Sequence, residues 1–278
     1  MDFSLTPKQR EVVELARAIA QEEIKVASLI IDKNGIVPDS LMNILKQSGM
    51  TQLAIPKEYG GAGLDILTVA MVAEQLAMGC AGIATICAAN ALATFPVLQA
   101  GNEEQKNIWC NCLNEGGMAA FALTEPGAGS DAGAVSCQAK KVDDGYLISG
   151  NKSFITNGPI ADKIALFANT RQEGGIRGLT LFMVDAKAKG VSIGKKEDKM
   201  GIRASSTSEI IFEDCFVPDS QRIGREGRGF KIAMQTLQTS RPVVGALSVG
   251  IAQAALDEAV AYSQQRKQFG AKVSSFQM

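Results

Sequence analysis

The sequence predicts an α+β protein in which helical segments flank a central antiparallel β-domain. Apolar residues repeat at helical spacing in the first and last parts of the chain, whereas short apolar segments separated by frequent turn signals occupy the middle. With 278 residues, the chain is long enough for more than one hydrophobic core. We therefore predict an N-terminal helical domain at residues 1–116, a β-domain at 117–226, and the start of a C-terminal helical domain at 227–278.

The N-terminal domain opens with clear helix signals. Residues 6–9, Thr-Pro-Lys-Gln, combine an N-cap, a proline at the first helical position and a capping-box glutamine. Apolar residues then recur at helical spacing through residues 12–20. Asp39 is predicted to cap a second helix that ends at Gly49.

A long segment without charged residues lies between Glu74 and Glu103. It is long enough to cross a membrane. Its glycines, its proline and its many alanines instead favour a helix that is buried among other helices. We expect a further helix to begin at the capping box of residues 102–105.

Turn signals divide the middle domain into short strands. They occur at Asp143–Gly145, Gly150–Asn151 and Asn157–Gly158, and the strands are predicted to end near Val217–Pro218. Helical spacing then returns and predicts one or two long helices, with Pro242 as a kink or break.

The composition removes several classes of function. A net charge of −1 is unlike that of a nucleic-acid-binding domain. The chain has no histidine, which excludes Ser-His and Cys-His catalysis and histidine-ligated metal sites. Of the six cysteines, only Cys110 and Cys112 lie close together, so we expect reduced thiols and no metal site. Proton transfer must then use a carboxylate, a lysine, a tyrosine or a cofactor.

The cysteine usage and the first eleven residues indicate the compartment. Those residues have neither the apolar core of a signal peptide nor the Arg-rich and Ser-rich pattern of a transit peptide. We expect a cytoplasmic protein with neither a membrane nor a nucleic acid as partner.

Three segments carry candidate site residues. Residues 121–131, Phe-Ala-Leu-Thr-Glu-Pro-Gly-Ala-Gly-Ser-Asp, run from a strand into a turn whose backbone N–H groups can converge on an anion or a cofactor. Residues 152–158 place an aromatic ring and a hydroxyl group on one face of a strand. Residues 266–270 place cations and a glycine at a helix end. On spacing alone each segment also fits an ordinary turn, strand end or helix cap.

The order of the segments resembles the acyl-CoA dehydrogenase family. Thr124–Asp131 resembles the family signature, and Phe154–Asn157, Lys199–Thr207, Gly250–Asp257 and Phe276–Gln277 follow in family order. The resemblance extends from one end of the chain to the other. It implies the helix–β–helix architecture, FAD bound between the β-domain and the C-terminal helices, and an acyl-CoA substrate.

The resemblance also implies the reaction and the partners. A glutamate removes the proton next to the thioester carbonyl, a hydride passes to the flavin, and the product is a trans-2-enoyl-CoA. The electrons pass to an electron-transfer flavoprotein. A homo-oligomer, dimer or tetramer, is expected.

The resemblance assigns roles to single positions. Ser130 is also expected to contact CoA, and Arg241 matches an arginine near the substrate channel. The positions that match the two flavin walls are Phe121, Leu123, Thr124, Gly129, Ser130, Phe154, Ile155 and Thr156. The positions that match contacts to the adenosine-diphosphate half of FAD on a neighbouring subunit are Arg266, Gln268, Phe269 and Gln277.

The sequence departs from the family pattern at the catalytic base. The expected glutamate lies beyond Met278, so we predict no catalytic residue within the chain and interpret the chain as a C-terminally truncated short- or medium-chain acyl-CoA dehydrogenase. Some relatives place the base just before the arginine matched by Arg241, but Ser240 occupies that position and its hydroxyl is too weak a base. Gln238 stands where some relatives carry an acidic residue.

Two other hypotheses remain open on the sequence. One is a non-catalytic CoA- or flavin-binding remnant, with Glu213 and Asp214 as the available carboxylates. The other is an acyl-CoA oxidase or a flavin monooxygenase on the same fold, which the oxygen reactivity of the reduced flavin would distinguish. The length of the acyl chain and the physiological direction, dehydrogenase or enoyl-CoA reductase, also stay open.

Overall fold

A computed structural model of the chain describes residues 4–171 and 175–277. Helices come first, a β-sheet follows, and a long helix and a small hairpin complete the described chain, which confirms the α+β class. The helices are α1 (Pro7–Ile19), α2 (Lys25–Asn34), α3 (Asp39–Gln47), α4 (Ile66–Gly79), α5 (Ala81–Ala100), α6 (Glu103–Asn114) and α7 (Gly229–Gln265).

The first helix begins as the sequence predicts. The Thr6 hydroxyl oxygen accepts from the backbone N–H of Gln9 at 3.2 Å, and the Gln9 side chain accepts from the backbone N–H of Thr6 at 3.0 Å. A π-helical turn at Ala20–Ile24 joins α1 to α2. The cap predicted at Asp39 is wrong, because Pro38 holds the extended N-cap conformation and Asp39 lies in the first turn, where its charge favours the helix dipole.

The predicted end of α3 is confirmed. The helix stops at Gln47, Ser48 is its C-cap, and Gly49 follows with a φ of +79°. The backbone N–H groups of Gly49 and Met50 donate to the carbonyls of Lys46 and Leu45 at 3.2 and 2.9 Å, the pattern by which a left-handed glycine ends a helix.

The uncharged segment forms the last five residues of α4 and all of α5. Two helices, α5 and α7, are long and apolar enough to cross a membrane by length and composition. Within the protein, 67% of the apolar window of α5 is buried, as the sequence predicted for a core helix, whereas only 17% of the window of α7 is buried.

The sheet has eight strands. They are β1 (Ala119–Ala122), β2 (Gln138–Val142), β3 (Gly145–Thr156), β4 (Lys163–Asn169), β5 (Leu179–Asp185), β6 (Val191–Lys196), β7 (Thr207–Pro218) and β8 (Arg222–Ile223). The order across the sheet is β6-β7-β3-β2-β4-β5-β8, and β1 pairs with β4 beside this path. The hairpin turn predicted before Gly145 is confirmed, since Val142 pairs with Gly145 at the start of β3.

Among the described residues, the sheet is antiparallel at five of its seven strand pairings, as predicted, whereas β1 and β2 each pair with β4 in parallel. One predicted turn is wrong. The turn predicted at Gly150–Asn151 lies inside β3, where the register with β7 shifts and Gly150 has a φ of +149°. A Cβ at this glycine would lie 2.8 Å from the Cα of Cys137, so the signal marks a bulge with close backbone approach.

Buried asparagines attach the sheet to the helical layer. The Asn90 side chain on α5 accepts from the backbone N–H of Ala119 at 2.5 Å and donates to the carbonyl of Thr51 at 2.7 Å. At the end of β3, the Asn157 side chain donates to the carbonyl of Ile86 on α5 at 3.0 Å. These bonds fix β1 and the end of β3 against the same face of α5.

Of the kink or break predicted at Pro242, the break does not occur, because the proline lies inside the single 37-residue helix α7. Thr236, before the proline, donates to Gln99 of α5, and Gly250, after it, lies against Glu74 of α4, so the helix is packed on both sides. Gly270 does not cap this helix, which ends at Gln265. Instead, Phe269 and Gly270, with φ of +51° and +80°, form the turn between β9 (Lys267–Gln268) and β10 (Ala271–Lys272).

The crossing of α4 and α7 depends on one glycine. A Cβ at Gly250 would lie 2.1 Å from the carbonyl oxygen of Glu74 on α4. This neighbour is backbone, so it cannot move aside without separating the helices. Gly245 lies on the same helix, and a Cβ there meets no atom within 4 Å.

We expect Gly250→Ala to destabilise the fold by about 1–3 kcal/mol through overpacking at the helix crossing. Gly245→Ala is the matched control and should stabilise the fold by about 0.5–1 kcal/mol, because alanine favours the helical backbone over glycine. Thermal unfolding followed by circular dichroism measures both. Equal unfolding midpoints for the two variants would contradict the close crossing.

Candidate functional site

A cavity of about 510 Å³ lies where the ends of β1 and β3 meet α5 and α7. This size is within the range of about 300–1,000 Å³ typical of small-molecule sites. The structure brings nine sequence-predicted positions together on its walls: Phe121, Leu123, Thr124, Gly129, Ser130, Phe154, Ile155, Thr156 and Arg241.

The loop after β1 supplies an open backbone surface. Glu125 and Ala128 exchange two backbone hydrogen bonds of 3.0 and 3.1 Å, which close a tight turn. A Cβ added at Gly127 or Gly129 meets no atom within 4 Å. Of these two glycines, only Gly129 lines the cavity.

The opposite wall is shaped by an irregularity in β3. The register with β7 shifts between Lys152 and Ile155, and Phe154 within this bulge has a φ of +58° and is 64% exposed. The strict alternation that the sequence suggested is therefore interrupted, although Phe154 and Thr156 both line the cavity. A left-handed backbone is unfavourable for a bulky residue, and such strain is concentrated at binding sites.

A buried ion pair beneath the cavity was missed by the sequence analysis. The side chain of Lys152 has 0% exposure, and its ammonium group donates to a Glu125 carboxylate oxygen at 2.6 Å and to the carbonyl of Leu123 at 3.0 Å. The same carboxylate accepts from the backbone N–H and hydroxyl groups of Ser136 at 2.7 and 2.6 Å and from the N–H of Cys137 at 3.0 Å.

The electrostatics of this pair follow from its burial. Burial lowers the pKa of Lys152 below its ordinary value, while the Glu125 carboxylate acts in the opposite direction. Burial raises the pKa of Glu125, but Lys152 and the hydrogen bonds from Ser136 outweigh this effect and leave the pKa lowered. No local signal reveals the pair, because its members are 27 positions apart and each belongs to a segment with an ordinary turn or strand pattern.

A second cavity of about 370 Å³ adjoins the first and shares Ala89, Leu92 and Thr156 with it. Its walls are mostly apolar and come from α5 and α7, and Ile202 closes part of them. Ile202 is β-branched and has a φ of +55°, a conformation that is a genuine outlier for this residue type.

Among the residues that the structure describes, no carboxylate lines either cavity. Ser240 lines the second cavity, and its hydroxyl donates to the carbonyl of Leu237 at 3.1 Å. Glu213 and Asp214 are exposed on β7 outside both linings, and the Asp214 carboxylate is 2.8 Å from the Ser149 hydroxyl.

The four positions expected to contact the distal half of the cofactor lie elsewhere. All four are exposed and lie at the end of α7, on the C-terminal hairpin or after it. Among the described residues that line the cavity, none of these four occurs: Arg266, Gln268, Phe269 and Gln277. The Phe269 ring is 98% exposed and its centroid is 6.4 Å from that of Phe276. The structure therefore separates these positions from the nine that meet at the cavity.

The cysteines in the described chain are all free, and the residues described contain no cluster of potential metal ligands. Burial raises the pKa of the Cys87 thiol to about 12 and those of Cys110 and Cys137 to about 11. These thiols are therefore not ionised near neutral pH.

The helix–sheet–helix fold is similar to that of the structure described as butyryl-CoA dehydrogenase from Megasphaera elsdenii. That structure is 40% identical, has a TM-score of 0.95, and matches over 99% of this chain and 74% of its own. A structure described as an electron transferring flavoprotein of Acidaminococcus fermentans is 40% identical with a TM-score of 0.96, covering 99% and 73%. The FAD complex of PigA is 31% identical with a TM-score of 0.91, also covering 99% and 73%.

Sequence comparison assigns the family. The N-terminal, middle and C-terminal domains of acyl-CoA dehydrogenase match residues 6–117, 120–215 and 227–278. The chain belongs to the acyl-CoA dehydrogenase family. It is 42% identical to the short-chain specific acyl-CoA dehydrogenase of Clostridium acetobutylicum, covering 100% of this chain and 74% of that protein. It is 44% identical to the 3-(aryl)acrylate reductase of Clostridium sporogenes, covering 97% and 72%.

Proposed function

We propose that the two joined cavities bind FAD and an acyl-CoA thioester, and that the protein takes part in α,β-dehydrogenation of the acyl chain. The observation that carries this proposal is the convergence of nine family-matched positions on one cavity that opens into an apolar chamber. The short-chain relative and the structural relatives support the same oxidoreductase class.

The residues of the first cavity fit a flavin. When bound, FAD supplies the acceptor for the hydride that leaves the acyl chain. Thr124, Ser130 and Thr156 present hydroxyl groups to the cavity, Phe154 presents an exposed ring, and the open side of Gly129 allows close approach of a planar ligand.

The residues of the second cavity fit an acyl chain. Alanines and Leu92 of α5 and Val243 and Leu247 of α7 line the chamber, so it offers an apolar surface to an apolar substrate. At the cavity entrance, Arg241 offers a guanidinium group and Ser130 a hydroxyl group to the polar CoA portion.

Removal of the proton next to the thioester carbonyl needs a base. No described cavity residue is a carboxylate, and Ser240 is a weak base. We therefore propose that a glutamate from outside the described residues supplies this function. In that case the described residues form the binding site and position the substrate without completing the proton transfer.

The proposal extends to the partners. An electron-transfer flavoprotein accepts the electrons, and a homodimer or homotetramer completes the FAD site. The exposed C-terminal hairpin supports a contact of Arg266, Gln268, Phe269 and Gln277 with FAD on a neighbouring subunit. The free thiols support a cytoplasmic location. Analytical ultracentrifugation with and without FAD tests the oligomer, and cell fractionation tests the location.

The first test is FAD binding. We expect the purified chain to retain a flavin absorption spectrum after gel filtration with excess FAD. Gly129→Ala adds a methyl group at a position that lines the cavity and should weaken FAD affinity by at least about tenfold, in the range of one lost close contact. Gly127→Ala is the matched control, because its methyl group also meets open space but lies outside the cavity lining. A colourless wild-type protein, or equal affinities for the two variants, would contradict the site.

The second test separates binding from chemistry. Added butyryl-CoA should shift the flavin absorption bands without bleaching them, because the cavity residues described contain no carboxylate. Bleaching at the rate of a complete family member would show that the chain contains its own base. Bleaching followed by rapid peroxide formation in air would instead favour an acyl-CoA oxidase.

The third test concerns the apolar chamber. Ala88 lines the second cavity and not the first, so Ala88→Leu should fill the chamber while leaving FAD bound. We expect about tenfold weaker binding of butyryl-CoA and unchanged FAD affinity, because one or two methylenes in a closed pocket change binding by about 1–3 kcal/mol. Titration of the flavin band shift measures this affinity. A parallel loss of FAD would indicate that the two cavities are not separate subsites.

A further inference from the structure

We propose that the buried Glu125–Lys152 ion pair is a positioning element. It fixes the two flavin-facing walls of the cavity, the loop after β1 and the end of β3, relative to each other. The pair does not line the cavity, so it acts through the residues that do. Its effect on FAD rests on the cofactor site proposed above, whereas its effect on the loop and the strand does not.

The lysine fixes the backbone on both sides of Thr124. Its ammonium group binds the carbonyl of Leu123 at 3.0 Å and the carboxylate of Glu125 at 2.6 Å. The residue after the lysine completes the arrangement, because the backbone N–H of Ser153 donates to the carbonyl of Thr124 at 2.9 Å. Thr124 is therefore held from three points while its side chain remains on the cavity wall.

The Glu125 carboxylate joins the two ends of the loop that runs from Glu125 to Ser136 and carries Gly127 and Gly129. Glu125 begins the loop, and its carboxylate accepts three hydrogen bonds from Ser136 and Cys137, where the chain reaches β2. The intervening Gly129 and Ser130 face the cavity, and no neighbouring atom would contact a Cβ at Gly129. A loop with an open apex keeps one conformation only if its base is fixed, and this carboxylate fixes both ends.

The lysine also anchors the opposite wall. It is the last residue of β3 before the bulge that carries Phe154 in its left-handed conformation. The bulge changes the direction of the Phe154 side chain, and a strained backbone persists only where surrounding contacts determine it. With zero exposure and two short hydrogen bonds, Lys152 provides such contacts.

Stability alone is a poor reason for a buried ion pair. Removing two charges from water costs free energy that their attraction only partly offsets, so apolar or neutral replacement of a complete pair is often neutral for folding. Removal of one partner is different, because it leaves a buried charge without a counter-charge. A double substitution therefore distinguishes a positioning role from a purely structural one.

The test uses the double variant Glu125→Gln/Lys152→Met. We expect an unfolding midpoint close to that of the wild type, FAD affinity lower by at least tenfold, and at least tenfold faster amide hydrogen exchange at residues 124–130 and 153–156 in the FAD-free protein. Lys163→Met is the matched control. Its 3.2 Å pair with Asp185 joins β4 and β5 outside the cavity, so loss of this pair should leave both FAD affinity and loop exchange unchanged.

A milder variant keeps the test decisive if the double variant does not fold. Ser136→Ala removes one 2.6 Å hydrogen bond to Glu125 at an exposed position, so folding is expected to be unaffected. Loop exchange should rise and FAD affinity should fall by about threefold or more, in line with the loss of one hydrogen bond to a charged group. A folded double variant, or Ser136→Ala, with wild-type loop exchange and wild-type FAD affinity overturns the positioning role.

The outcomes also separate this inference from the proposed function. If the wild-type chain binds no FAD, the cofactor site fails, and hydrogen exchange alone then decides whether the ion pair orders the loop. If FAD binds to the wild type and equally to the double variant, the cofactor site stands and the positioning role fails.

Discussion

The contact between a fully buried lysine and a buried glutamate connects the parts of the structure that form the cavity. Lys152 belongs to β3, Glu125 to the loop after β1, and the hydrogen bonds of the carboxylate continue to the start of β2. Three consecutive segments of the sheet therefore meet at one ion pair. Because an unpaired charge at this depth is strongly unfavourable, the segments cannot separate independently.

The cavity depends equally on backbone that departs from regular structure. Gly129 leaves one wall open, and Phe154 occupies a left-handed conformation in a bulge on the other. A regular strand would direct side chains alternately to the two faces and would present a flat, closed surface. The ion pair supplies fixed hydrogen bonds next to both irregularities, so the site is irregular and ordered at the same time.

The sequence predicted those features that short-range physics determines. The capping box at Thr6, the hairpin before Gly145 and the helical and β segments follow from local patterns, and the nine cavity positions followed from a family resemblance. Two of the errors have a common cause. Gly150 and Pro242 are turn and break signals locally, but tertiary packing keeps both inside regular elements. The ion pair was not foreseen, because only the tertiary contact between the loop after β1 and β3 brings its partners together.

One wall of the apolar chamber, formed by α7, is partly exposed. This exposure bears on the carboxylate base that the described cavity walls lack. Val244 and Ile251 both line the apolar chamber, lie two turns apart on one face of the helix, and are 58% and 40% exposed. Apolar surface of this kind is typical of a contact face. An element that packs there would cover the chamber, exclude water from it and bring its own side chains beside the substrate. Under the function proposed above, such an element would both close the chamber and supply the carboxylate base that the described walls do not carry.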